Sequence, residues 1–100
     1  MSEVIDDLTI EYEEGGVVLV KELDKQVLTR GAWSTIVFKY QEWNAKEEQY
    51  GPVKFSIRRY QKRNGIFNQR SKFNISNEEQ ARKVVEVLNH WLDAEDEKEV

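Results

Sequence analysis

The stretch from Val53 to Glu79 constrains this chain more than any other. Val53, Phe55 and Ile57 alternate with Lys54, Ser56, Arg58, Tyr60 and Lys62, with Arg59 continuing the apolar side past its end. Phe67, Phe73 and Ile75 alternate with Asn68, Arg70, Lys72 and Asn74. Between the two runs stands Asn64-Gly65, a pair that tolerates φ > 0 and so suits the two-residue turn of an antiparallel hairpin. The second run leads directly into Ser76-Asn77-Glu78-Glu79, which has the spacing of a capping box, with Ser76 as N-cap and Glu79 reaching back. Beyond it Ala81, Val84, Val85, Leu88, Trp91 and Leu92 recur on one face of a helix of about 16 residues. The pattern predicts a β-hairpin feeding a helix.

The upstream half adds strands. From Trp33 to Trp43 the residues alternate at period 2. Ile36, Phe38 and Tyr40 share one face; Trp33, Thr35, Val37, Lys39, Gln41 and Trp43 share the other. Val17–Leu28 predicts a strand, or two short ones meeting near Asp24-Lys25, and Arg30-Gly31 marks a turn. Asn44–Pro52 is charged and polar and is expected to be a loop. Residues 1–16 end in Glu-Glu-Gly-Gly and are expected to form a loose acidic arm or a frayed first strand. The expected fold is α+β, a single domain over residues 1–100. A four-stranded antiparallel curved sheet is followed by one C-terminal helix, with the core at about 17–92 and acidic tails at 1–16 and 93–100.

One helix has one apolar stripe and covers one face of such a sheet. The expected covered face carries Ile36, Phe38, Phe55, Ile57, Phe73 and Ile75. The other would present Trp33, Val37, Trp43 and Tyr60 among Lys and Arg, and a contiguous aromatic patch of this kind marks a binding surface. A second copy of the chain or unstacked bases would fit it; a solvated strand face is the plain alternative for its cations.

Charge distribution sharpens the choice. The net charge is −4, yet the acids concentrate at the ends: six and no base in residues 1–16, five and one Lys in residues 93–100. Between Gln49 and Asn77 lie seven bases (Lys54, Arg58, Arg59, Lys62, Arg63, Arg70, Lys72) and no acid. Clustered bases interleaved with aromatics are the pattern of single-strand binding, phosphates going to the cations and bases to the rings. For the acidic ends two roles are open: solubility and nothing more, or folding over the basic face to compete with phosphate.

Other chemistries find little support. There is no cysteine, so disulfides, thiol catalysis and Cys-ligated zinc are excluded. His90 is the only histidine, and on the helix it falls far from the apolar stripe, so it is expected to be exposed. The acid pairs Asp6-Asp7, Glu13-Glu14 and Glu47-Glu48 sit in expected tails and loops, and the glycines lack phosphate-loop spacing. No enzyme activity, cofactor, metal or small-molecule substrate is expected. No apolar run approaches the roughly 18 residues that span a membrane, and the first residues lack a signal-peptide pattern. A cytoplasmic protein is expected, nucleoid-associated if the source is bacterial.

Lys54-Phe55-Ser56-Ile57-Arg58-Arg59-Tyr60, a hairpin, and then Ser71-Lys72-Phe73-Asn74-Ile75-Ser76-Asn77-Glu78-Glu79-Gln80 resembles the single-stranded-DNA-binding core of the transcriptional coactivator PC4 family. That family runs strand, I-R-x-Y, hairpin, then K-G-I-S-L into an N-capped helix, and the resemblance covers about residues 17–92. It implies a homodimer whose curved sheets form channels for single strands, with roles in transcription, replication or repair. The family's K-G pair stands here as Ser71-Lys72, and the aromatic that often follows I-R-x-Y is Gln61. The residues expected to contact nucleic acid, single-stranded DNA and also RNA, are Lys39, Lys54, Arg58, Tyr60, Lys62, Arg70, Lys72, Trp33 and Trp43. A protein–protein adaptor using the aromatic face is the alternative.

Overall fold

The computed structural model describes residues 4–98, with side chains described up to Glu95. A 3₁₀ turn at Ile5–Asp7 is followed by β1 (Tyr12–Glu14), β2 (Val17–Thr29), β3 (Trp33–Asn44), β4 (Gln49–Tyr50), β5 (Lys54–Arg63), β6 (Ile66–Ile75) and α1 (Glu78–Lys98). The strands form one antiparallel sheet in the order β1-β2-β3-β5-β6, with the short β4 paired to the end of β3. The fold is therefore α+β, a curved half-barrel sheet followed by one helix. The sheet has six strands rather than four, because the expected loop at 44–52 folds back as a small hairpin carrying β4 and the N-terminal segment contributes β1. Trp43 and Tyr50 meet there edge-to-face at 5.1 Å, and the Tyr50 hydroxyl donates to the Val18 carbonyl at 2.9 Å.

The β5–β6 hairpin turns at Asn64-Gly65, both at positive φ (53° and 80°), as the two-residue turn requires. β6 contains a bulge: Arg59 and Tyr60 oppose Ser71 and Gln69, leaving Arg70 as the extra residue. The 13-residue β2 absorbs the predicted break near Asp24-Lys25 as a register shift between Glu22 and Asp24.

Register overturns the expected division of faces. Phe38 pairs with Ser56, Ile36 with Arg58 and Ser34 with Tyr60, while Val37 pairs with Ile57 and Lys39 with Phe55. Directly opposed residues share a face. Ile36, Phe38 and Tyr40 therefore lie with Ser56, Arg58 and Tyr60, and Phe55, Ile57, Phe73 and Ile75 lie on the opposite side with Trp33, Val37, Lys39 and Trp43. The core sits on the first face: Ile36 and Phe38 are fully buried, together with Tyr40, Tyr60 and Phe67.

The acidic N-terminal segment, not the helix, covers that core. Ile5, Leu8 and Ile10 are each about 8% exposed and join the core cluster, with Val20 and Val27 packed against it. Polar contacts hold the segment along β2. Lys25 Nζ donates to the carbonyls of Asp6 and Leu8 (2.5 and 2.7 Å), and Arg30 pairs with both Asp6 carboxylate oxygens (2.9 and 3.3 Å). Glu22 accepts from Thr9 Oγ1 at 2.7 Å. Of the two expectations for 1–16, the frayed first strand is seen in the short β1, and residues 4–10 form an arm that belongs to the fold instead of a loose one; residues 1–3 lie outside the described residues. We call the two sides of the sheet the arm face and the open face.

The helix leaves the sheet. Val85, Val87, Leu88, Trp91 and Leu92 are 44–62% exposed, and the main contact of α1 with the sheet is a slight one with β6. The molecule measures 58 × 40 × 17 Å. A helix about 10–12 Å across laid upon a sheet would make it thicker. α1 begins one residue later than expected. Asn77 Oδ1 accepts from Gln80 N at 2.8 Å, and Gln80 Oε1 reaches back to Ser76 N at 3.3 Å. Asn77 is the N-cap and Gln80 its partner, displacing Ser76 and Glu79 from those roles. The helix is 21 residues long and runs through the expected 93–100 tail as far as Lys98. No helix among the described residues is both long and apolar enough to cross a membrane.

Candidate nucleic-acid interface

The expected contact residues divide between the two faces. Lys54, Arg58, Tyr60, Lys62 and Lys72 lie on the arm face; Trp33, Lys39, Trp43 and Arg70 lie on the open face.

On the arm face the β5–β6 side of the sheet extends beyond the arm, and a groove of about 530 Å³ runs between them. Asp7, Leu8 and Thr9 form one wall, Phe67 and Gln69 the other, and Arg58 and Tyr60 the floor. Arg58 is held in place from beneath. Its Nε donates to Ser56 Oγ (3.1 Å) and an Nη to Gln69 Oε1 (3.0 Å). Ser56, fully buried, in turn donates to Asn74 Oδ1 at 2.6 Å. The guanidinium also lies over the Phe38 ring at 6.0 Å. Neutral groups fix the cation, and it forms no ion pair among the described residues. Lys72 is its direct cross-strand neighbour, and Lys62 Nζ sits 5.4 Å over the Phe67 ring at the groove's far wall.

Two of the arm-face residues have other roles. Tyr60 is 5% exposed and belongs to the core, so it cannot serve as a stacking platform; burial pushes its hydroxyl pKa up. Lys54 Nζ bonds Glu42 Oε1 at 2.6 Å, and that bond raises its pKa and neutralises its charge locally. Of the seven cations between Gln49 and Asn77, Lys54 is the only one with a carboxylate partner among the described residues.

On the open face, Trp33 carries the Arg59 guanidinium 4.7 Å from its ring centroid, and Arg70 Nε donates to Gln61 Oε1 at 3.2 Å. Lys39 stands opposite Asp24 and Phe55, and Trp43 packs on Tyr50 at the far end of the sheet. Of the expected residues, Arg58 and Tyr60 floor the groove and Lys62 and Lys72 lie on the same face, against Phe67 and across from Arg58, while Trp33, Lys39, Trp43 and Arg70 lie on the other face. Sequence reasoning missed Arg59, Gln69 and the arm. The stacking of Arg59 on Trp33 follows from the β3–β5 register, which local alternation does not determine. His90 is exposed on the helix.

No family model, curated protein or solved structure matches this chain.

Proposed function

We propose that this protein binds single-stranded nucleic acid, DNA foremost, along the arm-face groove of the β5–β6 hairpin, and that it acts as a homodimer. The observation that carries the reading is the unpaired charge of the hairpin: six cations form no ion pair among the described residues, and of these Arg58 floors the groove with Lys62 and Lys72 on the same face. Phosphates compensate such charge and carry no sequence information, so little sequence preference is expected. Single strands suit the site better than duplex. The hairpin is flanked by β3 and bordered by the arm, so it is no free two-stranded ribbon of the kind that enters a major groove. Transcription, replication and repair all present such strands.

The homodimer is supported by two apolar surfaces that this chain leaves unpartnered. One is the α1 stripe of Leu88, Trp91 and Leu92; the other is the open-face row Val37–Ile57–Phe73, where Phe73 is 59% exposed. An exchange in which each helix lies on the other chain's open face would bury both, and a two-fold operation satisfies both at once.

The test is fluorescence anisotropy of a labelled 20-nucleotide oligothymidylate, against a duplex of equal length, across a salt series. Three phosphate contacts give a log–log salt slope of about −2. The double substitution Arg58→Gln/Lys72→Gln should weaken binding at least tenfold at low salt. Absence of binding at low salt overturns the reading.

A further inference from the structure

The hairpin end of the open face carries a second arrangement that the groove does not use. Trp33 is 44% exposed although a guanidinium already lies on its ring. Gln61, the cross-strand partner of Trp33, holds Arg70 beside it. The β6 bulge is what turns Arg70 to this face: the alternation breaks between Arg70 and Ser71, which share the open face while Gln69 and Lys72 lie on the arm face. Neither Arg59 nor Arg70 meets a carboxylate among the described residues. A guanidinium stacked on an indole is held flat. It offers a plane on which an aromatic can lie and an edge of N–H groups for an anion.

The position of this cluster links it to the groove. β6 is the outermost strand, so the two faces meet along its edge. Lys72, on the arm face, is two residues from Arg70 on the open face. From the β6 edge to Trp33 is two strand spacings, about 10 Å, a distance a few nucleotides cover. The cluster adjoins the apolar row of Val37, Ile57 and Phe73 through Arg59, and Trp33 and Gln61 stand one row further toward the hairpin end.

We infer that a single strand seated in the arm-face groove passes over the β6 edge and lays a base on the Trp33–Arg59 stack, with Arg70 holding an adjoining phosphate. The inference rests on the groove reading above. It makes the sheet edge part of the binding path and assigns Arg59 and Trp33 one shared role. The same stack would accept any base, because every base presents a π-face.

Tryptophan fluorescence and anisotropy together test it, with the 20-nucleotide oligothymidylate as probe. Binding to the native protein should quench its emission. Trp33→Phe, which keeps a ring under Arg59, should remove most of that quench. Arg59→Gln/Arg70→Gln should weaken binding about fivefold or more. Arg58→Gln/Lys72→Gln should weaken binding further yet leave the quench at saturation intact. If Trp33→Phe is quenched like the native protein and Arg59→Gln/Arg70→Gln binds normally while Arg58→Gln/Lys72→Gln is impaired, the strand stays in the groove and the inference fails alone. If none of these variants is impaired, the groove reading falls with it.

Discussion

Replacing Leu8 by Ala tests whether the acidic N-terminal segment is part of the fold. Leu8 is about 8% exposed and packs in the cluster with Phe38 and Tyr60. Truncation to Ala removes the equivalent of three buried methylene groups, about 2.4 kcal/mol at roughly 0.8 kcal/mol each. The cavity term adds to this, but an arm at the rim of a core can settle inward and recover part of it. The expected loss is about 2–3 kcal/mol. A domain of this size has a stability of only about 5–15 kcal/mol, so the effect is large. Urea denaturation followed by tryptophan fluorescence would show it as a midpoint lowered by about 2 M, for a slope near 1.2 kcal/mol/M. Asp7→Asn, which alters only an exposed charge on the same arm, serves as the control and should leave the midpoint within about 0.4 M. A Leu8→Ala change below about 0.5 kcal/mol would mean that the arm is not docked, and the argument for a walled groove would go with it. The same arithmetic shows why deleting residues 1–14 cannot isolate an electrostatic effect of the tail: it removes Ile5, Leu8 and Ile10 from the core at once.

Three further outcomes can be checked. Asp7→Asn should tighten oligonucleotide binding about two- to threefold at low salt and have no effect near 0.5 M salt, because it removes one acid from a groove floored by Arg58. Burial raises the hydroxyl pKa of Tyr40 and Tyr60. The stability they confer is therefore complete below about pH 10 and is lost as pH rises through their folded values. Tyrosinate absorbance should show them ionising only with alkaline unfolding, and Tyr60→Phe should extend stability to higher pH. Leu88→Ser/Trp91→Ser should convert a dimer to a monomer in sedimentation velocity without loss of the far-UV β signal; an unchanged sedimentation coefficient would leave the helix stripe without a self-association role.

The elements of this fold were legible because their signals are local. Asn64-Gly65 sets the β5–β6 turn, and alternation identifies β3, β5 and β6. The spacing from Ala81 to Leu92 identifies the helix, and its cap moved by only one residue. Register between β3 and β5 was not legible. Both strands carry large apolar residues on both faces: Ile36 and Phe38 against Trp33 and Val37, and Phe55 and Ile57 against Tyr60. Alternation therefore does not say which parity meets which, and the connection between them contains a second hairpin that local pattern could not count. The arm was invisible for a different reason. Ile5, Leu8 and Ile10, spaced by three and two with acids between, match neither a helix nor a strand period, and their burial depends on a face whose composition only the register reveals. The candidate site suffered in proportion. Of the cations that sequence grouped, Arg58, Lys62 and Lys72 share the arm face, Lys54 pairs with Glu42 and Lys39 and Arg70 lie on the other side; Tyr60 went to the core and the two tryptophans to the other side.

The bulge at Arg70 has a consequence for assembly. β6 is ten residues long and borders the sheet, with a full row of backbone donors and acceptors turned outward. A straight border of that length would template further chains, each copy offering the next the same rim, and growth would have no natural end. An extra residue midway, itself a cation with Lys72 two positions on, breaks the repeat that such stacking needs. The chain can then present charge along an open rim without seeding a ribbon.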